Sequence, residues 1–268
     1  MRLVSFNALR SLGIPNVRYL KPELLFRERA LLAGADWVLF PEYWQINALV
    51  YGFKARIFPS IASYQLGHDK IEMTRALWSV VPRHVPHTLI LPSTASAIEQ
   101  VLDEIGLPCV GKTVRSSMGQ GVFLLQDRAA LRDYAARHEV LYLQELLPAR
   151  RDLRVVWVGN GVLTAYWRVG AEGAFHNNLA QGGRICFDAV PPQPIALAAD
   201  AAGALGIDHA GFDLMEVDGH WYFLEFNTLF GNQALNARGI DLGAAILSYL
   251  DPQRLTPPRA PAPLSSAA

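Results

Sequence analysis

The spacing of apolar and polar positions predicts a chain in which short strands alternate with amphipathic helices. In the first part, the apolar runs at 2–7, 37–40 and 55–58 have the length of strands, and 22–33 has a helical pattern. Asp69 followed by Glu72 is a capping-box variant that predicts a helix over 70–80. This order of elements is typical of an α/β lobe.

The remaining pattern predicts a mixed α+β unit followed by antiparallel hairpins. Helices are expected at 93–105, 127–137, 195–205 and 240–250, and strands at 108–112, 122–125, 141–144, 211–217 and 221–227. We therefore expect a short N-terminal α/β lobe over 1–63, a central α+β lobe over 64–147 that begins with a lysine-bearing helix, and a C-terminal lobe on an antiparallel sheet over 148–250. The tail over 251–268 holds five of the 17 prolines and is expected to be a poorly ordered surface strap.

Composition restricts the partners and the compartment. The 268 residues are 51% hydrophobic and 18% charged, with 24 basic and 24 acidic side chains, so there is no net field to attract nucleic acid or anionic membrane. Two cysteines are too few for a disulfide framework. We find no signal-peptide pattern at the start and no apolar run long enough for a membrane span, and we expect a cytoplasmic protein.

The first segment with candidate chemistry covers 108–122. An apolar strand ends at Lys112, and the next stretch contains Ser116, Ser117, Gly119 and Gly121, whose backbone N–H groups are able to fold over phosphates. It is not a Walker loop, because the lysine precedes the glycines. The alternative is an ordinary hairpin turn with a surface lysine.

The second segment begins with the strand residues Gln144 and Glu145 and continues through Leu146 and Leu147 to a proline. An extended stretch of this kind leaves peptide groups free to pair with an adenine edge, and Asp152 is placed to accept ribose hydroxyls. The alternative is a strand followed by a charged surface turn.

The third segment covers 211–227. Glu225 and Asn227 occupy alternate positions of a strongly apolar strand, so both project from the same face, and Asp213 begins the partner strand. Carboxylate and amide oxygens in apolar surroundings are costly unless a cation compensates them, and such hard donors suit Mg²⁺ shared with phosphates. The alternative is a set of strand-end polar residues paired with arginine.

The turn between these two strands decides whether their polar residues meet. A two-residue loop at Asp218 and Gly219 would place Asp213 opposite Leu224 and on the other face from Glu225. We therefore predict a three-residue loop, with Gly219 at positive φ and a bulge beside it.

The order of these motifs resembles the ATP-grasp superfamily, and within it the ligases similar to RimK, the ribosomal protein S6 modification enzyme. The likeness runs from about residue 64 to 249. It is carried by His68-Asp69-Lys70, Lys112 before the Gly-rich loop, Gln144-Glu145, Asp152-Leu153-Arg154, Arg168, Phe175-His176-Asn177-Asn178 with Gly182-Gly183, Asp213, and Glu225-Phe226-Asn227. Each motif is short, and their joint occurrence in this order is specific.

The resemblance implies an ATP-grasp fold and a set of roles at matching positions. It implies ATP binding by Lys70, Lys112, Ser116, Ser117, Gly119, Gly121, Gln144, Glu145, Leu146, Leu147 and Asp152. It implies that Arg168 and Asn178 face the reacting phosphate, with Arg154 as a supporting cation. It implies that Asp213, Glu225 and Asn227 hold one or two Mg²⁺ ions, with Mn²⁺ as an alternative ion.

The implied reaction activates a carboxylate as an acyl phosphate and transfers it to an amine, which yields an amide, ADP and phosphate. The amine acceptor is an amino acid, a peptide or a protein tail, and the formation of a homo-oligomer stays open. One alternative is a small-molecule kinase of the same fold, and another is a catalytically silent nucleotide-binding module. His176 and His209 lie close to motif residues and are considered as substrate contacts.

Overall fold

The computed structural model describes residues 1–116, 121–148, 151–170 and 183–251, so the proline-rich tail beyond 251 lies outside the described residues. The strands form three sheets. Their strand orders are β2-β1-β3-β4, β5-β8-β6-β7 and β11-β10-β9-β12-β13. Within the described ranges, none of the helices has both the length and the apolar character needed to cross a membrane.

The first sheet is parallel throughout and forms the N-terminal lobe. Its strands are β1 (Leu3–Ser5), β2 (Val17–Tyr19), β3 (Trp37–Leu39) and β4 (Ile57–Phe58). The helices of this lobe are α1 (Arg29–Ala33), α2 (Tyr43–Asn47), which continues into a π-helical turn (Ala48–Gly52), and α3 (Ile61–His68). The sequence pattern did not predict β2, α2 or α3.

The continuous helix predicted over 22–33 is not formed. A 3₁₀ turn (Pro22–Leu24) and α1 are separated at Glu28, whose φ of −97° and ψ of 33° leave the helical region. Leu25 and Leu32 are nevertheless both fully buried in the core of the lobe. The apolar spacing correctly indicates the buried face but not the helical continuity.

The helix α4 (Lys70–Val80) begins at the predicted N-cap, since the Asp69 carboxylate accepts hydrogen bonds from the backbone N–H groups of Ile71 and Glu72 at 2.9 and 3.3 Å. It leads, through a 3₁₀ turn (Pro82–His84), into the antiparallel second sheet. That sheet and its helices are β5 (Thr88–Pro92), α5 (Ala95–Glu104), β6 (Cys109–Lys112), β7 (Val122–Leu125), α6 (Arg128–Ala135) and β8 (Val140–Glu145). The apolar residues of one sheet face pack against α5 and α6, and the opposite face carries Lys112 and Gln144.

The third sheet is antiparallel and forms the C-terminal lobe. Its elements are β9 (Arg151–Val158), β10 (Gly161–Val169), β11 (Arg184–Cys186), α7 (Pro192–Leu205), β12 (His209–Val217), β13 (His220–Asn227), α8 (Gln233–Ala237) and α9 (Leu242–Leu250). One face packs on α7 and α4. The other is apolar where it meets α8, α9 and the N-terminal lobe, and polar farther along the same strands.

The loop between β12 and β13 differs from the prediction. Val217 pairs with His220, so the connection is a two-residue turn in which Asp218 and Gly219 both have positive φ, 51° and 79°. A turn of this kind matches the twist of the two strands. The predicted positive φ of Gly219 is confirmed, and the predicted three-residue loop is wrong.

A bulge farther along the hairpin sets the faces instead. Leu214 pairs with Phe223 and Asp213 pairs with Glu225, which leaves Leu224 as the extra residue of β13. Phe223 therefore faces the core, while Glu225, two residues later, lies on the opposite face. The shared face of Asp213 and Glu225 is confirmed, and the bulge rather than the turn produces it.

Candidate functional site

Four buried cations converge where the second and third sheets meet. They come from the start of α4, the end of β6 and the two adjacent strands β9 and β10, and are Lys70, Lys112, Arg154 and Arg168, each 6–7% exposed. Three carboxylates share their surroundings, those of Asp152, Asp213 and Glu225. Buried charges at this density are stable only when they are paired or hydrogen-bonded.

The two arginines and two aspartates form one cluster across β10, β9 and β12. Strand register places Arg154 opposite Asp213, and Arg168 opposite Asp152. Arg154 donates to Asp213 through both Nε and Nη2, Arg168 Nη2 lies 2.9 Å from Asp213 Oδ2, and Arg168 Nε donates to Asp152 Oδ1 at 2.6 Å. The two arginines and two aspartates give the cluster no net charge. The register of β10, β9 and β12 holds these residues next to one another.

Gly211 makes room for this cluster, a role that the sequence motifs did not indicate. A Cβ atom at Gly211 would lie 2.7 Å from Arg154 Nη1 and 2.9 Å from Arg154 Cδ. The Arg154 side chain therefore crosses β12 where there is no side chain to obstruct it.

Electrostatics keep Asp213 charged in spite of its burial. Burial alone raises the pKa of this carboxyl group, but Arg154 and Arg168 together hold the pKa below its usual range. For Asp152, burial and the charge of Asp213 raise the pKa, and Arg168 opposes them. Burial lowers the pKa of Arg168, but the two aspartates raise it overall, so the arginine stays protonated.

Lys70 links the helix α4 to the base of the Gly/Ser-rich loop. Its Nζ donates to the backbone oxygen of Ser116 at 2.8 Å and lies 3.7 Å from Glu225 Oε2. Gly121 closes the loop against Ser116, since a Cβ atom there would lie 2.3 Å from Ser116 Oγ. The predicted residues Ser117 and Gly119, between these two, lie outside the described residues.

Lys112 bridges the second and third sheets. Its Nζ donates to Gln144 Oε1 at 2.7 Å and to the backbone oxygen of the bulged residue Leu224 at 3.3 Å. Burial lowers the pKa of Lys112 to about 8, against the opposing influence of Glu225. Lys112 is thus a weakly solvated cation, held by neutral oxygens.

The residues predicted to contact adenine begin with Glu145, the last residue of β8. Glu145 pairs with His87, because its backbone N–H donates to His87 O at 2.9 Å and its Oε1 accepts from His87 N at 2.6 Å. Leu146 and Leu147 continue as half-buried chain without regular secondary structure. Asn178 lies outside the described residues, as does His176.

The buried position of His209 argues against a role as a substrate contact. Its imidazole is fully buried among the rings of Phe40, Phe58 and Phe230, with centroid distances of 5.7, 5.3 and 4.7 Å. Nδ1 lies 2.7 Å from Thr228 O, and Nε2 meets no polar partner in the described part of the chain. Burial lowers the pKa of His209 to about 3.

This burial predicts a specific loss of stability in acid. The imidazole of the unfolded chain binds a proton below pH about 6.5, but that of the folded chain binds one only near pH 3, so stability is lost as the pH falls between these values. We expect wild type to lose roughly 1 kcal/mol per pH unit more than His209→Asn, which keeps a donor for Thr228 O but does not titrate. Urea unfolding at pH 4 to 7 measures the two slopes, and parallel slopes would contradict the prediction.

A family model described as a RimK-like ATP-grasp domain matches residues 69–250. The chain belongs to this family. The match begins at the N-cap of α4 and ends with α9. It therefore includes both lysines, the Arg–Asp cluster and the two strands that carry Asp213, Glu225 and Asn227.

The chain is also similar to longer proteins named as a ligase and a synthase, and it matches about half of their length. The chain is 29% identical over 163 residues to the probable alpha-L-glutamate ligase of Chromohalobacter salexigens, with 58% of this chain and 54% of that protein covered. It is 32% identical over 188 residues to beta-citrylglutamate synthase B of Danio rerio, with 63% and 46% covered. The chain thus spans about half the length of these relatives.

Solved structures confirm the expected ATP-grasp fold. The RimK domain ATP-grasp protein of Sphaerobacter thermophilus is 18% identical with a TM-score of 0.69, and the alignment covers 93% of this chain and 99% of that one. The ATP-grasp ligase PsnB, complexed with a minimal precursor, Mg and ADP, is 16% identical with a TM-score of 0.68, and 94% and 97% are covered. The mixed α/β content and the antiparallel second and third sheets agree with this fold.

The donors on β12 and β13 fit the metal implied by the family. Glu225 is accessible, with its side chain 22% exposed, and Asn227 Nδ2 donates to Glu225 Oε1 at 3.0 Å, so the amide and the carboxylate are adjacent. In the described ranges, no group of three or more His, Cys, Asp or Glu side chains is arranged to hold a metal by itself. Mg²⁺ typically takes one or two carboxylates and completes its shell with phosphates and water, which suits this set.

Proposed function

We propose that the chain is an ATP-dependent carboxylate–amine ligase that forms an amide through an acyl phosphate and releases ADP and phosphate. The observation that carries the proposal is the convergence of Lys70, Lys112, Arg154 and Arg168 on the same sheet face as Asp213 and Glu225. Phosphoryl transfer to a carboxylate brings several anions together, and fixed cations stabilise that charge.

The lysines are assigned to the nucleotide phosphates. Lys70 and Lys112 approach Glu225 from α4 and from β6, so phosphates bound between them would lie beside the accessible carboxylate. We assign Ser116, Ser117, Gly119 and Gly121 to the segment that covers the phosphates and shields the acyl phosphate from water. Gln144 positions Lys112 through its 2.7 Å hydrogen bond.

The nucleotide base is assigned to the chain at the end of β8. We assign adenine recognition to backbone groups of Glu145, Leu146 and Leu147. Asp152 is 4% exposed and paired with Arg168, so we propose that it orients Arg168, and a ribose contact by Asp152 would require that pair to open.

Arg168, Arg154 and Asn178 are assigned to the phosphoryl group in transfer, and Asp213, Glu225 and Asn227 to Mg²⁺ or Mn²⁺. A bound Mg²⁺ would neutralise phosphate charge and polarise the transferred group. Both arginines pair with Asp213, and phosphate oxygens are competing acceptors for the same guanidinium groups.

The names of the relatives suggest the substrate class. One relative is named as a probable glutamate ligase and the other as a citrylglutamate synthase, and we therefore propose an α-amino acid or a short peptide, with glutamate as the first candidate, as one of the two substrates.

A substrate screen tests the proposed reaction. The chain is incubated with ATP, Mg²⁺ and pairs of carboxylic acids and amino acids or peptides, and phosphate release and product mass are recorded. The proposal expects phosphate release that requires both an acid and an amine, together with an amide product. A stable phosphorylated product without an amine would identify a small-molecule kinase, and ATP binding without turnover would identify a silent binding module.

Lys112→Ala is expected to weaken ATP binding by about 10-fold to 100-fold, because a charge-assisted hydrogen bond contributes roughly 1.5–3 kcal/mol. Calorimetric titration with a non-hydrolysable ATP analogue and Mg²⁺ measures the effect. Lys21→Ala is the matched control, since Lys21 is exposed on the N-terminal lobe. Equal affinities for the two variants would contradict the role of Lys112.

A further inference from the structure

Arg10 lies where the N-terminal lobe meets the loop that leaves β13. Its Nη1 donates to the backbone oxygen of Phe230 at 3.2 Å, and its backbone N–H donates to Asn7 Oδ1 at 3.0 Å. Phe230 follows Asn227 by three residues. The Arg10 side chain therefore joins the loop after β1 to the chain that follows β13, the strand that carries Glu225 and Asn227.

The topology of the N-terminal sheet marks the same place. Its order is β2-β1-β3-β4, so the chain moves outward from β1 to β2 and then crosses back to β3 on the other side. In open parallel sheets, ligands bind in the crevice outside the carboxyl ends of the strands where the order reverses. Here that crevice is flanked by the loops after β1 and β3, and Arg10 belongs to the first of them.

The charge of Arg10 is not compensated within the described part of the chain. No acidic side chain pairs with it there, whereas Arg154 and Arg168 both have aspartate partners. Burial lowers the pKa of the Arg10 guanidinium, and the influence that opposes burial is the Tyr64 hydroxyl rather than a carboxylate. A half-buried guanidinium with five donors and one backbone acceptor is suited to receive a planar anion.

The chain length between Asn227 and Phe230 sets an upper limit on the distance from Arg10 to the candidate metal site. Three residues of extended chain span at most about 11 Å, so Arg10 lies within roughly 15 Å of Asn227. Distances within this limit include those that a compact amino acid derivative or dipeptide spans. One end of such a molecule would reach the phosphates while the other contacts Arg10.

We propose that Arg10 binds a non-reacting carboxylate of the non-nucleotide substrate, and thereby selects substrates that carry a second anionic group. The inference rests on the proposed ligase function, to which it adds a specificity-determining residue. Two sources offer this chemistry, the second carboxylate of a dicarboxylic acid and the α-carboxylate of an amino acid acceptor.

The test compares Arg10→Gln with Arg18→Gln in the full chain. Glutamine keeps a donor for Phe230 O but removes the charge, and Arg18 is an exposed arginine of the same lobe. Calorimetry in the presence of Mg²⁺ and a non-hydrolysable ATP analogue measures the binding of glutarate, L-glutamate and the α-amide of L-glutamate. We expect Arg10→Gln to weaken the binding of glutarate or of L-glutamate by about tenfold or more, with unchanged nucleotide affinity. We expect Arg18→Gln to have no effect.

The three probes distinguish the two sources. An Arg10-dependent affinity for glutarate assigns the carboxylate to the acid substrate, and a loss of affinity on amidation of the α-carboxylate of glutamate assigns it to the amine. The proposal would be overturned if wild type and Arg10→Gln bound glutarate and L-glutamate equally, or if wild type bound neither. Because binding is measured without turnover, a failed substrate screen would reject the ligase reaction but leave this result interpretable.

Discussion

Replacing Glu225 by glutamine is expected to reduce turnover by roughly 100-fold to 1,000-fold while the chain stays folded. Glu225 is the accessible carboxylate of the set, whereas the oxygens of Asp213 already accept hydrogen bonds from Arg154 and Arg168. A metal ion contributes several kcal/mol to charge stabilisation in the transition state, and each 1.36 kcal/mol lost lowers the rate about tenfold. Phosphate release measured across a range of Mg²⁺ concentrations gives both the rate and the apparent metal affinity.

Glu216→Gln is the matched control for this experiment. Glu216 lies on β12 of the same hairpin but is exposed, and we expect its replacement to leave turnover and metal dependence unchanged. Circular dichroism melts of both variants check the fold. Near-full activity of Glu225→Gln at low Mg²⁺ would refute the metal assignment.

The local spacing of residues predicted the polar face of β13 but not how the fold produces it. Alternation along the strand requires Glu225 and Asn227 to share a face. A hairpin with a two-residue turn and no bulge would place Asp213 on the other face. In the structure, the bulge at Leu224 resolves this conflict by allowing Trp221 and Phe223 to fill the core. The preferences of turn residues alone do not predict that Trp221 and Phe223 must be buried.

The arginine cluster depends on contacts between residues that are distant in sequence. Arg154 and Asp213 are separated by 59 positions and meet because β9 and β12 are neighbours in the sheet. Sequence reasoning left open that the carboxylates pair with arginine. Asp213 does pair with Arg154 and Arg168, and its assignment to Mg²⁺ stays a prediction. Arg10, whose contact with Phe230 spans 220 positions, had no local motif to identify it.

The N-terminal lobe was less predictable for a different reason. Its strands are two or three residues long, and α2 has five residues, so each is too short to establish a hydrophobic period. The bounds of the longer helix α4 were predicted correctly, because its N-cap and several turns of amphipathic pattern agree.

Arg154→Met is expected to destabilise the chain by about 3–5 kcal/mol, because removing one partner of a buried ion pair leaves the other charge uncompensated. Asp213 is 2% exposed and would then share Arg168 with Asp152, which converts a neutral cluster into one with a net negative charge. Urea denaturation monitored by tryptophan fluorescence measures the loss. Arg151→Met, on the same strand, removes an exposed arginine that lies over the Trp167 ring and should cost no more than about 1 kcal/mol.

The double variant Arg154→Met/Asp213→Asn separates charge from packing. If the loss in Arg154→Met arises from the unpaired Asp213 carboxylate, then removing that charge restores part of the stability, and the double variant is more stable than Arg154→Met by about 1–3 kcal/mol. If both changes act only through lost packing, the double variant is at least as unstable as either single one. A loss in Arg154→Met no larger than that in Arg151→Met would contradict the buried ion cluster itself.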